Sequence, residues 1–339
     1  VAARWSIPPN CGIPERPQNR PEGISMTRRI IIDTDPGQDD AVAILLALAS
    51  PAELTVDAII ACAGNVPVTL TGTNARKICE LAGRPDIPVY AGCSRPMAAR
   101  PLVTAEHVHG QTGLDGPDLP EPRMPLQAQH GVDFLVDRLR AEPPGSLTIC
   151  ALGPLTNIAM ALVKAPDIAT RIREIVLMGG AYFEVGNITP AAEFNFYVDP
   201  HAAAIVLGSG VPIVMKPLDV THRVLTTDAR LERIGALPNA CGRAVAAMLN
   251  FSERFDLEKY GTAGAPLHDP CVIAYLIKPD LFRGRHINVE VETTSALTLG
   301  MSVADWWRVT NRAPNALFIR DVDDHGLYAL LEERLARLP

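Results

Sequence analysis

The chain has 339 residues, 47% of them hydrophobic and 20% charged, with a formal net charge of −7. That is ample apolar material for a large packed core. The acidic balance disfavours nucleic acid or an anionic membrane as the main partner, and no apolar run reaches transmembrane length. Seven cysteines are scattered with no CxxC and no zinc spacing, which predicts buried, reduced thiols in a cytoplasmic protein.

Residues 1–25 carry five prolines and lack the apolar stretch of a signal peptide. They are expected to form a poorly structured arm, with Met26 as the natural start and 26–339 as a single domain. After the arm, Arg29–Thr34 is a short β-branched run, hence a buried strand, and Asp39–Ala49 reads as a helix with acids in its first turn. The alternation repeats. Strands are expected at Leu54–Ala61, Ile87–Ala91, Ser146–Ala151, Glu174–Met178 and Val211–Met215, and helices at Leu70–Ala82, Gly131–Arg140, Leu155–Val163 and His201–Leu207. Such alternation means βαβ units and a mostly parallel sheet flanked by helices. Beyond Asp219 helices are expected at Asp228–Ile234, Gly242–Phe255 and Pro270–Ile277. Strands return at His286–Val291 and Ala316–Asp321, before a last helix ending near Leu335. Arg95–Gln129 is long, rich in Pro and Gly and poorly periodic, as lids and binding loops are.

The polar clusters lie just after strands: Asp35, Asn65, the GPLTN turn, the segment after Met178, and LDVTH. In doubly wound folds ligands bind at the carboxyl ends of the strands, so these signals converge on one rim. The densest cluster is "DTDPGQDDA", with four aspartates between Asp33 and Asp40. Helix capping explains Asp39 and Asp40 but not Asp33 and Asp35, which end an apolar strand and share one face at period two. Packed carboxylates raise one another's pKa or require a cation. A phosphate cradle is excluded, because GxxxxGK[ST] is absent and the loop is acidic. A hard cation held by carboxylate oxygens, calcium or a more hydrated magnesium, fits instead. A DxD after the first strand also suits haloacid-dehalogenase-type phosphatases.

The rest of the chain arbitrates. From about Arg28 to the C-terminal helix the sequence resembles the inosine–uridine-preferring nucleoside hydrolase family. The landmarks occur in family order: DTDPGQDDA, AGN at Gly64–Asn65, HVHGQTGLDGP, ALGPLTNIAMAL, IVLMGGA, GNITPAAEFNFYVDP, LDVTH and GAPLHDPCVIAY. The phosphatase pattern accounts only for the first.

The resemblance implies an α/β fold with a Rossmann-like, mostly parallel central sheet and helical insertions in the C-terminal half. It implies hydrolysis of the N-glycosidic bond of ribonucleosides by direct attack of a calcium-bound water. Asp35, Asp40 and Asp269 match the side-chain calcium ligands, and Leu152 falls where a backbone carbonyl completes them. Asp35 also matches the general base. Asp39, Asn65, Asn187, Glu193 and Asn195 match residues that hold the ribose hydroxyls. Met178 and Phe194 match residues packed around the sugar. His268 matches the histidine that protonates the leaving base in some members, and His109 lies in the loop that approaches the base. Tyr260 is expected to face the base. Asp33 is expected to sit behind the ligands, and His222 is left outside the site. Family members are homotetramers or dimers, which implies an oligomer, and Trp306–Trp307 is either core or a subunit interface.

Taken alone, His268 reads as a structural or capping histidine and Met178 as a gap-filler. Beside Asp269, at the start of a helix, His268 reads as functional. GLDGP, NITPAAEFN, LDVTH and GAPLHDP look most like the bacterial pyrimidine-preferring enzymes, so uridine and cytidine are the expected substrates. A nonspecific inosine–uridine hydrolase is the alternative, followed by a catalytically silent nucleoside binder.

Overall fold

The computed structural model describes residues 27–98, 100–261 and 263–339, with the side chains of 256–260 left out. The expected arm, 1–25, and the side chain of Tyr260 lie outside the described residues. The strands in chain order are Arg28–Thr34 (β1), Leu54–Ala61 (β2), Val89–Ala91 (β3), Leu126–Gln127 (β4), Leu147–Ala151 (β5), Ile172–Met178 (β6), Ile213–Lys216 (β7), Leu225–Thr226 (β8), Ala265–Pro266 (β9), Phe282–Ile287 (β10), Val289–Val291 (β11), Ser302–Ala304 (β12) and Ala316–Val322 (β13). The helices are Gln38–Leu48 (α1), Val68–Leu81 (α2), Glu106–His109 (α3), Gly131–Ala141 (α4), Thr156–Lys164 (α5), Phe194–Val198 (α6), Pro200–Leu207 (α7), Leu218–Thr221 (α8), Asp228–Gly235 (α9), Ala240–Tyr260 (α10), Pro270–Ile277 (α11) and Asp324–Leu335 (α12).

Nine strands form one sheet in the order β10-β13-β7-β6-β5-β1-β2-β3-β4. Every neighbouring pair in it is parallel except β10 with β13. The apolar run of β1 feeds both faces of the sheet. Ile30 and Ile32 pack in one layer with residues such as Leu45 of α1, Ile78 of α2, Met248 of α10 and Ile273 of α11. Ile31 points the other way, among Leu135 of α4, Ile158 of α5 and Val206 of α7. Strands buried on both faces explain why the sequence reads as unbroken β-branched runs.

The topology has one reversal that matters. From β1 the chain steps to β2 on one side, while β5 pairs with β1 on the other. A crevice opens where the strand order reverses, at the carboxyl ends of β1 and β5. Asp35 follows the first of these strands and Leu152 the second.

Two expectations need correction. His286–Val291 is not one strand: it straddles the end of β10 in the large sheet and β11, which pairs with β12 in a separate ribbon. The break falls at Asn288, whose carbonyl accepts the Asp305 N–H at 2.8 Å instead of a ladder bond. The segment Arg95–Gln129 is not bare loop, since it carries α3 and β4. Among the described residues no helix is long and apolar enough to cross a membrane.

Candidate active site

A single cavity at the crevice is lined by Asp35, Asp39, Asp40, Asn65, His109, Leu152, Met178, Asn187, Glu193, Phe194, Asn195, His268 and Asp269, so every expected site residue with a described side chain reaches it. They come from segments more than two hundred residues apart, brought together because each follows a strand or opens a helix on the same rim.

The sharp turn after β1 sets the acids. Asp40 folds back on its own helix: its carboxylate accepts the Gly37 N–H at 3.0 Å and the Asp35 N–H at 3.2 Å, and the Thr34 hydroxyl donates to it. The Asn65 amide adds a bond at 3.2 Å. The Asp35 carboxylate accepts the Asn65 backbone N–H at 2.7 Å. It is clasped by two glycines, since a Cβ would stand 2.0 Å from its Oδ2 at Gly64 and 2.2 Å from its Oδ1 at Gly153. Asp39 accepts the backbone N–H of Asp269, joining the start of α1 to the start of α11.

Carboxylate oxygens of Asp39, Asp40 and Asp269 lie within 4.8 Å of one another, and these three could hold a metal ion. Among the described residues no lysine or arginine stands on the cavity wall. Burial, and then repulsion from neighbouring acids, holds Asp35 and Asp269 well above the usual carboxylate range. Asp40 is pushed up to about 6, mainly by burial and then by Asp39. Three buried acids, Asp35, Asp40 and Asp269, beside the half-buried Asp39 fit a divalent ion bound through oxygen. Asp33 sits beneath them, fully buried. One of its oxygens accepts from Asn157 at 2.9 Å, the other has no partner, and burial raises it to about 7.

The opposite wall comes from the segment after β6. Glu193 caps α6, accepting the N–H groups of Asn195 at 2.8 Å, Gly180 at 2.8 Å and Phe196 at 3.1 Å. Burial pushes it up to about 7 against those bonds. The Asn195 amide donates to the carbonyls of Leu152 at 2.7 Å and Met178 at 3.2 Å, tying the ends of β5 and β6 together. The Leu152 carbonyl keeps a second lone pair. Asn187 accepts the Phe194 N–H at 2.8 Å.

The mouth of the cavity is more aromatic. His268 Nδ1 meets the Thr221 hydroxyl at 2.8 Å. His222, set aside in the sequence, lies with its ring centroid 5.8 Å from that of His268 and does not line the cavity. His107 packs edge-on against Phe255 with ring centroids 5.0 Å apart. Sequence reasoning missed Thr226, Leu249, Ser252 and Phe255, which also line the cavity. The last three repeat every third residue along α10, a helical stripe that could have marked them.

The chain matches the inosine-uridine preferring nucleoside hydrolase family over residues 30–329. It belongs to that family. An uncharacterised protein of Schizosaccharomyces pombe is 55% identical over 311 residues, covering 92% of this chain and all of its own length. The pyrimidine-specific ribonucleoside hydrolase RihA of Salmonella schwarzengrund is 48% identical, covering 91% of this chain and 99% of its own. Among solved structures, a purine-preferring ribonucleoside hydrolase from Gardnerella vaginalis superposes with a TM-score of 0.85 at 31% identity, covering 91% of this chain and 98% of that one. The plant nucleoside hydrolase PpNRh1 superposes at 0.84 with 34% identity, covering 92% and 99%. The protein is thus a ribonucleoside hydrolase, and the expected nucleoside hydrolase fold is the one observed.

Proposed function

We propose that this hydrolase is calcium-dependent and prefers the pyrimidine ribonucleosides uridine and cytidine, releasing ribose and free base by direct attack of water. The observation that carries the reading is the cluster of carboxylates at the switch point, with no lysine or arginine among the described residues of the cavity wall to neutralise it. Asp40 and Asp269, two of the three acids whose oxygens lie within 4.8 Å of one another, would hold the ion with Asp35 and the Leu152 carbonyl, while Asp39, the third, would serve the ribose. A bound calcium supplies positive charge that makes a neighbouring water more acidic.

Asp35 is the base that accepts the proton of the attacking water. Asp39, Asn65, Asn187, Glu193 and Asn195 hold the ribose hydroxyls. Breaking the N-glycosidic bond develops positive charge on the ribosyl ring, and the surrounding carboxylates stabilise it. Met178 and Phe194 pack on the sugar. His268 delivers a proton to the leaving base, and His109 and Tyr260 face that base. No side chain needs to act as a covalent nucleophile.

Pyrimidine preference is supported by the 48% likeness to a pyrimidine-specific relative against 31% to a purine-preferring structure. The absence of tryptophan among the described residues of the cavity wall supports it too. We further read 26–339 as one domain of a cytoplasmic homo-oligomer, a tetramer or dimer, a location supported by six unpaired thiols among the described residues. Values of kcat/KM for uridine, cytidine, inosine, adenosine and deoxyuridine, with calcium and with chelator, test the whole. Uridine and cytidine should lead, deoxyuridine should be poor, and chelator should abolish turnover. A lead for inosine would replace the pyrimidine reading with a nonspecific inosine–uridine enzyme.

A further inference from the structure

Gln38 opens α1 beside the acids, is buried, and is not among the carboxylates or amides that meet there. Its side chain turns the other way, into the segment that carries α3. The amide Nε2 donates to the His109 carbonyl at 3.0 Å and to the Asp115 carbonyl at 3.1 Å. A primary amide has two N–H groups, and both are thereby used. The flipped amide would set its oxygen against two carbonyl oxygens. The Gln38 Oε1 therefore faces the His109 ring, where it lies within hydrogen-bond distance of Nδ1. An amide oxygen only accepts, so Nδ1 must carry the proton.

The ring is seated for this contact. A Cβ on residue 37 would stand 2.5 Å from His109 Nδ1 and 2.7 Å from its Cε1, so only glycine lets the imidazole lie so close to the acid loop. The backbone around it is fixed as well: Asn74 donates to the carbonyls of Pro36 at 3.0 Å and Thr112 at 2.8 Å, tying the same two segments together. Burial lowers the His109 pKa to about 4, which keeps the ring neutral near pH 7. A neutral imidazole protonated at Nδ1 bears a lone pair at Nε2.

We propose that Gln38 is a positioning residue of the hydrolase, fixing His109 as the Nδ1–H tautomer so that Nε2 stands on the cavity wall as a hydrogen-bond acceptor. The group it receives is a donor on the bound ribonucleoside, a hydroxyl or a base N–H. In this state His109 has no proton to give from Nε2, so it cannot be the acid for the leaving base. The inference rests on the ribonucleoside hydrolase activity and not on the pyrimidine preference.

The test reads the tautomer directly. Protein labelled with 15N-histidine is examined by long-range 15N–1H NMR without substrate, with the His109 signal assigned from His109→Ala. Wild type should show a protonated Nδ1 and a bare Nε2. Gln38→Leu should shift His109 toward the Nε2–H form and raise KM on the order of tenfold, the worth of about one hydrogen bond, with a smaller change in kcat. In the His109→Ala background Gln38→Leu should have little further effect on KM. Wild-type His109 protonated at Nε2 would overturn the inference, as would a Gln38→Leu enzyme with unchanged KM or effects of the two variants that simply add. An inactive wild type would defeat the hydrolase reading and leave the NMR result standing by itself.

Discussion

Asp35 differs from the other acids of its loop in what surrounds its carboxylate. Asp40 spends its oxygens on the Gly37 and Asp35 N–H groups, the Thr34 hydroxyl and the Asn65 amide, and Asp39 is tied to the Asp269 backbone. Asp35 takes the Asn65 N–H and is otherwise enclosed by the bare Cα atoms of Gly64 and Gly153. That enclosure lets a carboxylate reach the rim without a side chain in its way. Replacing Asp35 by Asn keeps its size but removes the proton acceptor, and should lower kcat roughly 10²–10⁴-fold or more. The measurement is steady-state turnover of uridine at saturating calcium, and near wild-type kcat would take Asp35 out of the chemistry. Gly153→Ala approaches the same atom from outside: its Cβ would stand 2.2 Å from Asp35 Oδ1, so the carboxylate must move. It should lose turnover by at least tenfold, the cost expected of a misplaced catalytic group. A fully active Gly153→Ala would mean that the position of Asp35 matters less than this geometry implies.

The segment between β6 and α6 carries Asn187 and Glu193, yet almost no secondary structure holds it. Its anchor is Asp219 at the start of α8, whose carboxylate accepts the N–H groups of Tyr182 at 3.0 Å, Phe183 at 2.6 Å and Glu184 at 3.2 Å. Asp219→Ala should cost about 1–3 kcal/mol of stability, the range for stranding donors of a buried charged acceptor. It should also raise KM for ribonucleosides, because the ribose wall loosens. Denaturant unfolding and KM together check this, and a variant matching wild type in both would refute it. The sequence marked LDVTH only as a motif, because an aspartate that bonds backbone N–H groups thirty-odd residues away leaves no local pattern. Where periodicity is local the sequence was legible: β1, β2 and α11 read as buried runs bounded by turns, and their rim residues followed. It was opaque at β10, an edge strand paired only to β13, whose residues 283–286 are exposed and so lack an apolar pattern. It was opaque again at α3, four residues long and too short to show a helical period. The four aspartates of the acid loop were visible as a charge problem, but which carboxylates converge depended on Asp269, supplied by an element more than two hundred residues on.

Across the whole molecule the two ends of the sheet treat charge in opposite ways. Toward the amino ends of the strands acids have arginine partners: Arg29 with Glu142 at 2.6 Å and Arg138 with Asp57 at 2.9 Å. At the carboxyl ends Asp35, Asp39, Asp40, Glu193 and Asp269 face one cavity with no lysine or arginine among the described residues of its wall. Burial raises the proton affinity of all five, with Asp40 near pH 6 and Glu193 near pH 7, and it raises Asp33 beneath them to about 7. The unfolded chain titrates its acids near pH 4. Between pH 4 and 7 the folded, metal-free protein therefore holds more protons than the unfolded chain. Its stability is fully present below about pH 4 as far as these groups are concerned, and falls as pH rises through the folded values. A divalent cation reverses the balance, since it binds only the deprotonated acids of the folded state and competes with protons below pH 6. At a hundredfold excess over its Kd it would add about 2.7 kcal/mol. Thermal unfolding with calcium and with chelator, from pH 5 to pH 8, should show a gain in Tm from calcium that is small at pH 5 and grows steadily to pH 8. Magnesium, which demands a tighter octahedral shell, should give a smaller gain at equal concentration. A calcium increment that stayed constant or shrank as pH rose would mean that the acids do not hold their protons in the folded state, and the account of the cavity as a cation site awaiting deprotonation would fall with it.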